Sequence, residues 1–289
     1  MKSSVSSFLL LLTSFIWGFA FVAQSQVTSL LGPFIYNGIR MILGAIVLLP
    51  LFIPLIKKRD KKYIKSLIID SLICGLLLAL ASNLQQEGIT YTSAGKAGFI
   101  TSLYILLVPV ISLLMGKKSS TKTWICVLTG LVGAFLLSIS SKESINKGDA
   151  IVFLSSIVFS LHIIAIDKLG KKYNGIELST LQFFFAGLSS LIVSFFFERT
   201  TLDAILSCAW PIIYGGVFSC GIAYTLQVVG QKYTSPTKAT LLLSLESVFS
   251  ALGGALLLSE RMSEKEIFGA SILFLSVLIA QLPDKKKKN

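Results

Sequence analysis

The chain has 289 residues, 54% of them apolar and only 14% charged, with a mean hydropathy of +0.80. Soluble domains average roughly 25% charged residues, so too few charges are present to coat a water-exposed surface, while 20 Phe and long Leu/Ile/Val runs exclude a disordered chain. A net charge of +12 would suggest nucleic acid in a soluble protein, but in a membrane protein basic residues report topology first.

A spanning helix needs about 20 mostly apolar residues. In chain order, apolar runs between charged or turn-rich breaks predict ten helices, over residues 5–25, 32–55, 66–86, 95–115, 123–140, 149–168, 177–197, 208–230, 236–258 and 266–282. The first run follows Lys2 as a signal peptide would, but no small-x-small cleavage site follows it cleanly and its pattern returns later, so it reads as a span. Four cysteines, Cys74, Cys126, Cys208 and Cys220, are scattered singly, without metal-ligand spacing, and no metal or other cofactor is expected.

Sorting Lys and Arg by the side on which ten spans would leave them gives a strong asymmetry. Nineteen fall on the side of the N-terminus, including Lys57, Lys58, Arg59, Lys61, Lys62 and Lys65 and the tail Lys285 to Lys288. Six fall opposite, and Arg40 lies inside a span. The positive-inside rule then places both termini in the cytoplasm, and it accounts for the basicity without nucleic acid.

The sequence also repeats itself. Residues 84–103, LQQEGITYTSAGKAGFITSL, match 226–245, LQVVGQKYTSPTKATLLLSL, at 10 of 20 positions without a gap, at an offset of 142. Gln85 falls on Gln227, Tyr91-Thr92-Ser93 on Tyr233-Thr234-Ser235 and Lys96-Ala97 on Lys238-Ala239. The same offset lays Trp17 over Phe159 and Arg40 over Gln182. Two units of five helices result, 1–142 and 143–289. Because five is odd, the second enters the membrane upside down, the plan of secondary transporters whose halves rock about a midplane site.

The segments Ser244-Leu245-Glu246-Ser247-Val248-Phe249-Ser250-Ala251, Leu256-Leu257-Leu258-Ser259-Glu260-Arg261 and Ile267-Phe268-Gly269-Ala270 resemble the closing signature of EamA-type carriers of the drug/metabolite transporter superfamily. Leu107-Val108-Pro109-Val110 and Gly130-Leu131-Val132-Gly133-Ala134 echo it in the first unit, and Trp17-Gly18 and Arg40 are similar to that family's first-repeat pattern. The resemblance covers essentially the whole chain. It implies an all-α fold of ten helices in two inverted repeats, in a carrier of the bacterial cytoplasmic membrane for small metabolites, amino-acid-like compounds among them, export included.

Ionisable groups inside lipid are costly, so each is a functional candidate. Glu246, ten residues into the ninth span, is placed to exchange a proton or bind an amine, with Tyr104 as its repeat counterpart. His162 is the only histidine and lies in the sixth span, and Arg40 of the second could bind a carboxylate or brace neighbouring helices. Trp17, Asn83, Tyr224 and Gln227 supply the aromatic and hydrogen-bonding groups that line small-molecule sites. Lys96 and Lys238 stand at helix starts, where the dipole disfavours a cation, which suggests a gating role, while Ser93 and Ser235 read as N-caps.

No GxxxxGK[ST] loop exists, so ATP is not the direct driver; ion or proton coupling through Glu246, uniport and exchange are the open alternatives. The competing classes are a membrane-embedded enzyme and a channel. Neither a clustered nucleophile and base nor a ring of charge is visible. The oligomeric state is not written in the chain.

Overall fold

The computed structural model describes residues 3–92, 94–138, 146–257 and 262–282, and every regular element among them is helical. In chain order these are α1 (Ser3–Val27), α2 (Pro33–Ile56), α3 (Lys61–Ile89), α4 (Ala94–Ser102), α5 (Tyr104–Leu114), α6 (Thr121–Ser138), α7 (Lys147–Lys172) and α8 (Gly175–Phe197). There follow α9 (Leu202–Ser207), α10 (Ala209–Ile213), a π-helix, π1 (Tyr214–Tyr224), α11 (Thr225–Gln231), α12 (Pro236–Leu243), α13 (Glu246–Leu257) and α14 (Glu264–Gln281).

Helix starts follow from local chemistry. Pro33 opens α2, where its missing N–H costs nothing. The Asp60 carboxylate accepts from Tyr63 N at the head of α3, and Asn146 with Asp149, like Ser263 with Glu266, forms a reciprocal capping box. Ser235 caps α12 as expected, whereas Ser93 lies outside the described residues.

Among the described residues eight helical stretches are long and apolar enough to cross a membrane: Ser4–Val27, Pro33–Ile56, Lys61–Ile89, Gly95–Leu114, Lys147–Lys172, Gly175–Phe197, Ala209–Gln231 and Pro236–Leu257. The fifth expected span, Thr121–Leu137, is apolar but shorter, and the tenth, α14, carries Glu264, Lys265 and Glu266 in its first turn. The protein is thus a multi-pass membrane protein.

Three spans expected to be single helices are interrupted. The fourth breaks at Leu103 and the ninth at Ser244–Leu245, positions that match under the 142-residue offset. At each break the ladder shifts to three-residue bonds, from Leu103 N to Ile100 O and from Leu245 N to Leu242 O. The hydroxyls of Ser102, Ser244 and Ser247 bond back to Gly98 O, Leu241 O and Ser244 O, competition that bends helices. The eighth span widens into π1, and α1 donates to its carbonyls, Thr13 Oγ1 to Ala223 O and Trp17 Nε1 to Ser219 O. Groups loosened by the wide turn thereby find partners away from water.

Lipid supplies no hydrophobic force between helices, so close approach of small residues does the packing. A Cβ on Gly133 or Gly269 would collide with the backbone of α14 or α6 respectively. These contacts also fix direction. Gly133 faces Leu273 while Gly269 faces Leu137, so α6 and α14 run antiparallel. Gly38 faces Leu191 while Gly187 faces Ile42, so α2 and α8 do too. By contrast α1 and α13 run parallel, with Gly18 against Phe249 and Gly253 against Val22.

Ionic ties gather near the two ends of the bundle. Arg59 pairs with Glu177 at 2.7 Å, Lys117 and Lys171 with Asp167 at 3.0 and 2.8 Å, and Lys172 with Asp70 at 2.7 Å. At the other end Lys96 pairs with Asp149 at 2.6 Å, and the Glu198 carboxylate accepts from Phe34 N and Ile35 N, capping α2 from the end of α8. All four cysteines are buried and unbridged.

Candidate functional site

Between these ends lies a cavity of about 40 Å³, room for about three waters. Helices α1, α4, α5, α7, π1, α11 and α13 contribute to its wall, together with Arg40 of α2 and Gln85 of α3. Ten of its fifteen lining residues form five pairs separated by 142 positions: Trp17 and Phe159, Ala20 and His162, Phe21 and Ile163, Gln85 and Gln227, Tyr104 and Glu246. The last pair touches, the Tyr104 hydroxyl donating to Glu246 Oε1 at 2.7 Å. Tyr104 and Glu246 are each the first residue of the half-helix that follows a break, α5 and α13, so each side chain leaves its span where the backbone bends.

Of the residues expected at a binding site, Trp17, Tyr104, His162, Tyr224, Gln227, Glu246 and Arg40 all line this cavity. Trp17 and Tyr224 pack ring against ring at 4.5 Å, and Phe183 and His162 meet Tyr224 edge-on at 5.8 and 6.2 Å. Arg40 Nε donates to Asn37 Oδ1 at 2.7 Å, and its guanidinium lies 5.3 Å from the Tyr36 ring. Neither Arg40 nor Glu246 takes part in an ion pair among the described residues, although both are buried.

Asn83 stands apart from the cavity. Its Oδ1 accepts from Asn37 Nδ2 at 2.9 Å and its Nδ2 donates to Ser190 Oγ at 2.9 Å, so the amide bridges α2, α3 and α8 and, through Asn37, anchors Arg40. The two lysines of the gating expectation also lie off the cavity. Lys96 is buried in its pair with Asp149, which also accepts from Thr92 Oγ1 and Asn146 N. Lys238 is half-buried, and its N–H is capped by Ser235.

Sequence reasoning missed Gln24, Gln85, Thr101 and Ser219. Gln85 was within reach, because the repeat sets it on Gln227, and the same offset leads from Trp17 to Phe159. Gln24 and Thr101 have Ile166 and Leu243 as counterparts, so the repeat carries no trace of them. Gln85 Nε2 donates to Thr101 Oγ1 at 3.0 Å, whereas Gln24 Oε1, Gln227 Oε1 and His162 Nδ1 have no hydrogen-bond partner among the described residues. The cavity therefore joins a cation, an acidic group, unpaired acceptors and aromatic faces, a set suited to a small polar solute.

The comparisons with known proteins agree. The profile of the EamA-like transporter family matches residues 5–139 and 146–281. An uncharacterized transporter of Archaeoglobus fulgidus is 30% identical over 274 residues, covering 94% of this chain and 84% of its own. The uncharacterized transporter YoaV of Bacillus subtilis is 23% identical, covering 94% and 95%, and a WAT1-related protein of Arabidopsis thaliana is 24% identical, covering 90% and 79%. One solved crystal structure superimposes with a TM-score of 0.78 over 97% of each chain at 14% identity, which speaks to the fold. Two profile matches end to end, nearly full-length relatives named as transporters and a cavity inside an apolar helical bundle that holds Arg40 and Glu246 among aromatic side chains make this a membrane transporter of a small solute rather than an enzyme, and the chain belongs to the EamA-like transporter family.

Proposed function

We propose that the chain is a secondary carrier that moves a small amino-acid-like solute across the bacterial cytoplasmic membrane by alternating access, in the direction of export. Ten spans form two inverted repeats, residues 1–142 and 143–289, with both termini in the cytoplasm. The observation that carries the reading is the cavity wall, where five residue pairs related by the 142-residue offset meet around the Tyr104–Glu246 hydrogen bond. A residue can touch its own repeat counterpart only close to the axis relating the two copies. The antiparallel packing of α2 with α8 and of α6 with α14, each a repeat-equivalent pair, supports inversion. Arg40 is the group that takes a carboxylate, in a charge-assisted hydrogen bond, and Glu246 takes an ammonium group or the coupling proton.

The test is counterflow in proteoliposomes preloaded with unlabelled amino acids and given labelled ones outside. A carrier yields saturable, transient accumulation driven by the preload. Uptake that ignores the internal solute and does not saturate would indicate a pore. In the same vesicles Glu246→Gln is expected to abolish accumulation driven by a pH gradient; exchange that persists assigns Glu246 to the coupling proton, and exchange lost with it assigns Glu246 to the solute's ammonium group. Accumulation with an unaltered pH dependence would remove Glu246 from coupling.

A further inference from the structure

Gln182 lines no part of the cavity, yet it is completely buried on α8 beside a residue that does. Its Oε1 lies 3.0 Å from His162 Nε2, while Nδ1 of the same ring has no hydrogen-bond partner among the described residues. Under the repeat offset Gln182 stands on Arg40, so one position supplies a cation to the cavity in the first copy and props an imidazole from behind in the second. Its other amide atom, Nε2, makes no hydrogen bond among the described residues, so its one recorded polar contact is with the ring.

A carbonyl oxygen can only accept, so it requires a proton on Nε2, and an uncharged imidazole with Nε2–H has a bare lone pair on Nδ1. An imidazolium here would be a charge inside the membrane whose partner is a neutral amide, a costly arrangement. Because the Nε2 edge turns to α8 and the ring still lines the cavity, the edge left for a solute carries Nδ1. Gln24 Oε1 and Gln227 Oε1 are unpaired acceptors on the same wall.

We propose that Gln182 is a positioning residue that holds His162 as the Nε2–H tautomer, so that Nδ1 accepts a hydrogen bond from an N–H group of the solute. The inference rests on the transport reading above and sharpens it. Solutes with a primary ammonium group are recognised, and analogues with the same charge but no N–H are not.

His162 is the only histidine of the chain, so protein labelled with ¹⁵N-histidine and carrying a histidine-free purification tag shows one ring. The expected spectrum has a protonated Nε2 and a pyridine-type Nδ1. A protonated Nδ1, a cationic ring or an even mixture of tautomers overturns the assignment in the wild-type protein itself. Gln182→Met is expected to shift the ring toward a tautomer mixture, and an unchanged spectrum in monodisperse variant protein removes Gln182 from the role.

Titration with the proteinogenic amino acids is expected to move the Nδ1 signal for at least one of them, while glycine betaine, which lacks N–H, leaves it in place. Betaine acting as strongly as the amino acids, or no amino acid acting, overturns the acceptor role. The two readings fail separately. Counterflow of an amino acid with a stationary Nδ1 signal sinks this inference alone, and the expected ring spectrum in a protein without counterflow sinks the carrier reading alone.

Discussion

Arg40 and Asn83 differ in how far their polar groups are committed to the scaffold. Both are buried, but the Asn83 amide is committed to Asn37 and Ser190, whereas Arg40 uses Nε to dock on Asn37 and has no carboxylate paired with it among the described residues. Asn83→Leu takes from Ser190 Oγ its donor and from Asn37 Nδ2 one of two acceptors, and is expected to lower stability by about 1–3 kcal/mol; because Asn37 Nδ2 keeps Ser82 O at 3.0 Å, Arg40 keeps its anchor and the protein that remains folded keeps its apparent KM. Thermal unfolding beside counterflow measures both, and a raised KM at unaltered stability would return Asn83 to the site. Arg40→Gln is expected to do the reverse. It removes the group proposed to hold a solute carboxylate and is expected to weaken apparent affinity about tenfold or more, while amines without a carboxylate are expected to lose nothing by it. Equal losses for both solute classes would make Arg40 a brace.

The elements were unequally legible in the sequence, for physical reasons. Apolar run lengths marked the helical segments, because a bilayer demands length and apolarity of any helix that crosses it. The repeat pointed to Glu246 and Tyr104 together, since Gly, Tyr, Thr, Ser and Lys in register survive a Leu-rich background. The breaks at Leu103 and Ser244–Leu245 were hidden, because serine hydroxyls bonding back to carbonyls leave the apolar pattern intact. The π-helix was hidden as well. It depends on α1 donating through Thr13 and Trp17, a contact between segments some 200 residues apart. Its function is testable by deleting Gly216. A π-turn holds one residue more than an α-turn, so the shortened span closes toward α geometry: the carbonyls of Ser219 and Ala223 return to the helix ladder and the spacing of Ser219, Tyr224 and Gln227 along the cavity wall is lost. The deletion variant is expected to reach the membrane in normal amount and to lack counterflow, and wild-type counterflow in it would show that the wide turn does not set the site.

At the scale of the molecule, alternating access requires the two ends of the cavity to part in turn. At the end shared with the N-terminus, Ser119 in the link between α5 and α6 hydrogen-bonds Thr237 in the first turn of α12, Oγ to Oγ1 at 3.2 Å, which joins segments of the two copies. Beneath the cavity on that side, Leu10, Ile105, Val108, Leu241 and Leu243 belong to one buried cluster that water cannot cross while it stays packed. Opening toward that face must separate Ser119 from Thr237 and, with them, Lys117 from Asp167, which ties the same link to α7 of the second copy. A short bis-methanethiosulfonate bridge between cysteines introduced at Ser119 and Thr237, in protein freed of Cys74, Cys126, Cys208 and Cys220, is therefore expected to stop counterflow, and reduction is expected to restore it. Solute binding, read as thermal stabilisation, should persist in the bridged protein, because the opposite end of the cavity is still free to open. Undiminished counterflow across the bridge would mean that the two copies do not part at this face, and the rocking mechanism would fall with it.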